Sequence, residues 1–151
     1  LVNKMKLYKI PLLFISETHL TESTTYNIDG YTFIFSSAST PATGVGVIIA
    51  PWLRPLISSI TCHSERIIEV QVSASPMPLV FLGVYAPIQK EDQEHSDLRS
   101  KFWTKLAEII MPIPQITPLY ICGDFNTRLQ GRSETEKTVI GPHIYGKGFH
   151  T

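Results

Sequence analysis

Cysteine is scarce: Cys62 and Cys122 are the only two, and they lie far apart. Two thiols without a Cys-x-x-Cys spacing build neither a disulfide framework nor a zinc site. Cys122 sits inside an apolar run, which predicts a reduced, buried thiol. An excess of charge of either sign is also lacking. Lys+Arg 13 against Asp+Glu 13 gives a formal net charge of +0. That balance argues against a protein that holds nucleic acid mainly through a basic surface. It leaves room for an enzyme that grips a few phosphates through a metal. No apolar run approaches membrane-spanning length, so no membrane partner is expected. The start, Leu1-Val2-Asn3-Lys4, has no signal-peptide pattern, which predicts an intracellular protein, nuclear or cytoplasmic. It has no initiator methionine either, which predicts a piece of a longer chain. His19, His63, His95, His143 and His150 form no His-x-x-x-His pair, and all are expected on the surface or in loops, with His19 the nearest to a site. Lys147 precedes Gly148, so the glycine-rich end lacks the Lys-Ser/Thr of a P-loop.

What is present is a globular composition, 43% hydrophobic and 17% charged. The length suits one domain with a real core. The region 1–9 reads as the end of a helix. Apolar runs at Leu12-Leu13-Phe14-Ile15, Tyr31-Thr32-Phe33-Ile34-Phe35 and Val45-Gly46-Val47-Ile48-Ile49-Ala50 read as strands. So do Ile67 to Val72 and Leu79 to Tyr85. Residues 21–30 read as a polar loop, and 52–60 as a less distinct strand. Residues 36–43, with Pro41, and 73–78 read as loops or turns. Leu98, Phe102, Leu106, Ile109 and Ile110 recur at helical spacing, which predicts an amphipathic helix over 96–111 capped by Ser96 or Asp97. Leu119-Tyr120-Ile121-Cys122 reads as a short buried strand. Several strands, few helices and a late crossover helix predict two packed sheets with helices outside.

Three of the apolar runs end in groups suited to phosphate chemistry. Ile15 leads to Glu17. Val84 leads to Tyr85. Cys122 leads to Gly123, Asp124, Phe125 and Asn126. Asp124 and Asn126 stand two apart, so in extended geometry they face one side. Magnesium takes oxygen ligands and usually only one or two carboxylates, a role open to Glu17 and Asp124. Tyr85 can donate to a phosphate oxygen, and Asn126 can donate to an oxyanion or orient a water. Taken singly, each has a plainer account: a turn for Gly123-Asp124-Phe125-Asn126, a polar strand end for Glu17, a half-buried core side chain for Tyr85. Arg128 and Arg132 could meet a DNA backbone or simply face solvent. Glu134 and Glu136 read as a solvated loop.

Ser16-Glu17-Thr18-His19, Gly83-Val84-Tyr85-Ala86-Pro87 and Gly123-Asp124-Phe125-Asn126 resemble, in order and spacing, the successive motifs of the endonuclease/exonuclease/phosphatase superfamily. Gly44 to Ile49 and Ser64 to Val70 fit the same pattern. Glu17-Thr18-His19-Leu20 and the stretch Ile140 to Gly148 are most similar to the endonuclease domain of non-LTR (LINE-type) retrotransposons, to RTE-like elements and to the craniofacial development protein 2-like proteins derived from them.

The resemblance implies a DNase I-like α/β fold, a four-layer sandwich of two packed mixed β-sheets flanked by helices. It implies a divalent cation, Mg2+ with Mn2+ as the alternative, held by Glu17 and Asp124. It implies that Tyr85 contacts the scissile phosphate, that Asp124 positions or activates the attacking water, and that Asn126 supports it. DNA is the implied substrate, and a reverse transcriptase domain of the same polyprotein the implied partner, with a nick that primes reverse transcription. Measured against the superfamily, residues 1–151 are expected to be a partial domain. The leading strand and a second half with another aspartate and a Ser-Asp-His motif are missing, with aggregation and weak activity of the piece as consequences. Two other functions fit the same residues: a phosphatase for inositol phosphates or other small phosphoesters, and a domesticated, non-catalytic binding module.

Overall fold

Three separate apolar clusters divide the molecule into four layers. The computed structural model describes residues 1–40, 43–88, 90, 92–127 and 139. The elements run α1 (Val2–Tyr8), β1 (Leu12–Ser16), β2 (Thr24–Ile28), β3 (Tyr31–Phe35), β4 (Val45–Ile49), β5 (Ile57–Ser64), β6 (Ile67–Val72), β7 (Leu79–Tyr85), α2 (Gln93–Ile110) and β8 (Leu119–Asp124). The first sheet has the order β1-β4-β3-β2 and the second β5-β6-β7-β8.

Alternation along the strands sorts the side chains into these clusters, because successive residues of a strand point to opposite faces. Val45, Val47 and Ile49 of β4 meet Ile68, Val70 and Val72 of β6 between the sheets. Ile48, on the other face of β4, joins Tyr31, Phe33 and Phe35 around Met5 of α1. Val80, Leu82 and Val84 of β7 point away from the first sheet and pack on Phe102, Leu106 and Ile109 of α2. The layers are therefore helix, sheet, sheet, helix, as expected. A finer point differs: every pairing in the first sheet is antiparallel, and only the β7–β8 pair of the second is parallel. That parallel pair requires a crossover, and α2 supplies it.

Several local expectations give way. Residues 24–28 form a strand, not a loop. β2 lies at the sheet's end and exposes four of its five residues, so it carries no apolar signal. Its mark is the turn: Asp29 and Gly30, with φ of 52 and 82°, make the tight hairpin that Asp-Gly favours. Residues 54–56 are a 3-10 turn, and the strand of this region starts at Ile57. α2 begins at Gln93, earlier than its apolar period suggests, because Asp92 caps it and accepts from the His95 N–H at 2.9 Å.

The Leu119 strand is not buried, and neither is Cys122. β8 is the last strand of its sheet among the described residues, and four of its six residues are exposed. Both cysteines are exposed free thiols. His63 is half-buried within a strand rather than in a loop. It bonds to buried Glu69 at 2.7 Å, and Gln71 donates to the other Glu69 oxygen at 2.6 Å, so this buried carboxylate is fully paired. Among the described residues no helix is long and apolar enough to cross a membrane.

Candidate functional site

The C-terminal ends of β1, β7 and β8 gather at one end of the sandwich. β1 stops at Ser16, and the backbone then takes a left-handed conformation at Glu17 and again at His19, with φ of 55 and 56°. Such values are uncommon for residues with a side chain and mark a loop held by its surroundings. Glu17 is exposed, but its Oε1 accepts a 2.6 Å hydrogen bond from the hydroxyl of Tyr85. The two residues come from different sheets and are 68 positions apart.

Tyr85 is the last residue of β7, and the residue is 4% exposed in the core between the sheets. Its backbone N–H donates to the Arg66 carbonyl at 2.9 Å, and Arg66 Nη1 donates to the Tyr85 carbonyl at 3.3 Å. The Arg66 guanidinium also lies over the ring, 5.1 Å from its centroid. Burial, then the Glu17 hydrogen bond and charge, push the phenol above its usual range. The nearby Asn126 side chain and the Arg66 charge oppose that shift without cancelling it. Tyr85 thus stays protonated and is a hydrogen-bond donor.

Asp124 is the register partner of Tyr85 in the parallel β7–β8 ladder. The Ala86 N–H donates to the Asp124 carbonyl at 2.8 Å and extends that ladder by a step. The strands come unusually close here. A Cβ added to Gly123, whose φ is 145°, would lie 1.9 Å from the Val84 carbonyl oxygen. Only glycine satisfies both the conformation and the space. Beyond Asp124 the chain turns instead of continuing extended. The Asn126 N–H donates to Asp124 Oδ1 at 2.8 Å, and Asn126 has a φ of 47°. This is the turn chemistry of an aspartate. Asn126 nevertheless stays at the site: its Nδ2 donates to the Ala86 carbonyl at 2.7 Å. A cleft of about 350 Å³ runs beside these groups, between Phe14 to Ser16 of β1, Gly83 and Val84 of β7, and Asp124.

The donor set suits a sparsely ligated hard cation. Among the described residues no cluster of three or more His, Cys, Asp or Glu side chains could cage a metal. Magnesium does not need one, because it keeps waters and takes one or two carboxylates. Glu17 and Asp124 each commit one oxygen to the framework, to Tyr85 and to the Asn126 N–H. Among the described residues no hydrogen bond occupies the second oxygen of either, so it is open to a cation.

Glu65 and Arg66 also stand at this end of the fold. They lie in the Ser64 to Val70 stretch that fits the superfamily pattern, but the sequence gives neither a role, since locally they are only a polar turn between two apolar strands. Glu65 Oε2 accepts from the Ser39 N–H at 2.6 Å, from the Ser39 hydroxyl, and from Thr43 Oγ1 at 3.1 Å. Of the histidines, His63 and His95 are paired with Glu69 and Asp92. His19 lies two residues from Glu17 and is exposed. Arg128, Arg132, Glu134, Glu136, His143, Lys147, His150 and the 140–148 stretch lie outside the described residues.

No protein-family model matches the sequence. The structure is similar to an AP endonuclease from Archaeoglobus fulgidus, with a TM-score of 0.64 at 16% identity over 91% of this chain and 56% of that one. It is also similar to D. rerio TDP2 complexed with single strand DNA product, with a TM-score of 0.54 at 17% identity over 91% of this chain and 54% of that one. The chain shares the fold of these two structures, a DNase I-like sandwich. At the level of sequence it is 27% identical over 127 residues to craniofacial development protein 2 of Bos taurus, which matches 83% of this chain and 21% of that protein. The chain thus spans little more than half of the solved AP endonuclease and about a fifth of the curated relative.

Proposed function

We propose that this chain carries the phosphodiesterase site of a metal-dependent DNA endonuclease of the non-LTR retrotransposon type. Its nick would leave a 3′-hydroxyl that primes reverse transcription, with the reverse transcriptase domain of the same polyprotein as partner. The observation that carries the reading is the 2.6 Å bond from Tyr85 to Glu17, made across two sheets with Asp124 in register beside Tyr85. A core tyrosine does not need a surface carboxylate from another layer. A site that must hold a phosphate beside a carboxylate does.

The roles follow from the donors and acceptors. A divalent cation, Mg2+ or Mn2+, held by Glu17 and Asp124 would neutralise charge on the phosphate oxygens. Tyr85, held protonated, has one O–H; it donates to Glu17 here and would turn from Glu17 to a non-bridging phosphate oxygen when substrate binds. Asp124 accepts the proton of the attacking water. Asn126, fixed by its Ala86 and Asp124 bonds, keeps that water or the oxyanion in place. Support for DNA as substrate comes from the fold shared with an AP endonuclease and with a TDP2 bound to a DNA product.

The test is nicking of supercoiled plasmid by the protein expressed from its full reading frame. Nicking with Mg2+, its loss with chelator, and its loss in Glu17→Ala and Asp124→Ala are the expected results. Release of phosphate from inositol phosphates with the plasmid left intact would instead assign a small-phosphoester phosphatase. An inert protein would assign a binding module. A reverse transcriptase frame downstream in the same coding sequence is expected for the retroelement reading, and uninterrupted host exons without one would overturn it.

A further inference from the structure

We infer that Glu65, on the turn between β5 and β6, is a positioning residue for the loop that carries Glu17; the inference rests on the nuclease reading above. A turn carboxylate on a surface is ordinarily solvated. This one ties down a segment 22 to 26 residues away, through its bonds from Ser39 and Thr43. The backbone of Glu65 adds a further tie, because its carbonyl accepts from the Gly44 N–H at 3.1 Å. Side chain and main chain of one residue therefore hold Ser39, Thr43 and Gly44.

Thr43 and Gly44 in turn hold the Glu17 loop. The Gly44 carbonyl accepts from the Thr18 N–H, and the Thr43 carbonyl accepts from the His19 N–H, each at 3.3 Å. Thr18 and His19 are the two residues after Glu17. Their amides have no ladder to join, since β1 has ended at Ser16. The left-handed backbone at Glu17 and His19 is not one that their side chains favour. External bonds must hold it, and these two amides make them. The linkage runs from Glu65 to Thr43 and Gly44, from there to Thr18 and His19, and so to Glu17.

The neighbouring residue does the same for the other partner. Arg66 exchanges backbone and side-chain bonds with Tyr85 and covers its ring. One turn of the second sheet thus sets both ends of the Tyr85–Glu17 bond, Glu65 for the acceptor and Arg66 for the donor. Loss of the Glu65 carboxylate should loosen the Glu17 loop while leaving the buried strands intact.

The experiment compares wild type, Glu65→Ala and Thr43→Val in the full-length protein. Amide hydrogen exchange reads the linkage without any activity, and calorimetric titration with Mn2+ reads the site. In Glu65→Ala the Thr18 and His19 amides should exchange about tenfold faster or more, with β4 and β6 unchanged. Mn2+ affinity should fall about tenfold or more, the usual effect of removing a residue that orients a ligand. Thr43→Val should move both in the same direction by a smaller factor, and decides the matter alone if Glu65→Ala does not fold. Unchanged exchange at Thr18 and His19 in the variants overturns the inference. So does Mn2+ affinity within about twofold of wild type when only the melting temperature falls. If wild type itself neither binds Mn2+ nor nicks DNA, the nuclease reading has failed, and the exchange data still decide whether Glu65 holds this loop.

Discussion

The Tyr85 hydroxyl donates to Glu17 Oε1 at 2.6 Å across the gap between two sheets. This bond joins an exposed loop to a buried strand end. Tyr85→Phe removes the donor and little else. Nicking should fall by about 10²- to 10³-fold, the usual cost of losing one donor to a developing oxyanion. Stability should change by only about 1 kcal/mol, because the ring stays packed. Plasmid-nicking rates and urea unfolding measure the two effects. A loss of activity matched by an equal loss of stability would point to a packing role alone.

Glu17→Gln separates charge from hydrogen bonding. The amide oxygen can still accept from Tyr85, so the loop should keep its place and the melting temperature should hold. The second oxygen, however, becomes a neutral amide nitrogen and cannot ligate a cation. Mn2+ binding by calorimetry should weaken by about tenfold or more. Equal Mn2+ affinity in variant and wild type would remove Glu17 from the ligand set.

Gly123→Ala tests the close approach of β8 to β7. The added methyl meets the Val84 carbonyl oxygen and needs a backbone conformation that alanine disfavours. The expected destabilisation is about 1–3 kcal/mol, and activity should be lost even at temperatures where the variant is folded. Unfolding curves combined with nicking assays at 20 °C and below would show it. Normal activity in a folded variant would mean that the Tyr85–Asp124 register is not required.

The Glu65 carboxyl gives stability a pH dependence. Burial pushes its pKa up, but the hydrogen bonds from the Ser39 side chain and backbone and from Thr43, with the Arg66 charge, outweigh it and hold the group below its ordinary value of 4.5. Its contribution is therefore present above that ordinary value and is lost as pH falls through the lower folded value. Urea unfolding between pH 7 and about pH 3 should show a shallower acid limb in Glu65→Gln than in wild type. Parallel limbs would falsify this assignment.

Elements built on apolar runs were legible in the sequence: β1, β3, β4, β6 and β7 all stand where continuous or alternating hydrophobic residues put them. Exposed strands were harder to read. β2 exposes its side chains, so only Asp29-Gly30 betrays it, while β8 was legible as a strand but is exposed where a buried one was expected. The start of α2 was hidden because its first turn, Gln93 to Ser96, is polar, and a capping aspartate outside the apolar period sets it. Glu17, Tyr85, Asp124 and Asn126 could be picked out because each follows an apolar run at once. Glu65 and Arg66 fall in a stretch that fits the superfamily pattern, but their roles could not be read, since a short polar turn between two strands looks the same whether it faces solvent or reaches across to another layer.

The parallel pairing of β7 with β8 limits how this chain can change. Neighbouring side chains on a strand point opposite ways, so inserting or deleting a single amino acid within Leu119–Asp124 would swing the carboxylate to the helical side of the sheet. The proline-bearing connector at 112–118 is under no such rule. Descendants of this gene should therefore vary freely in length ahead of Leu119 and hardly at all after it.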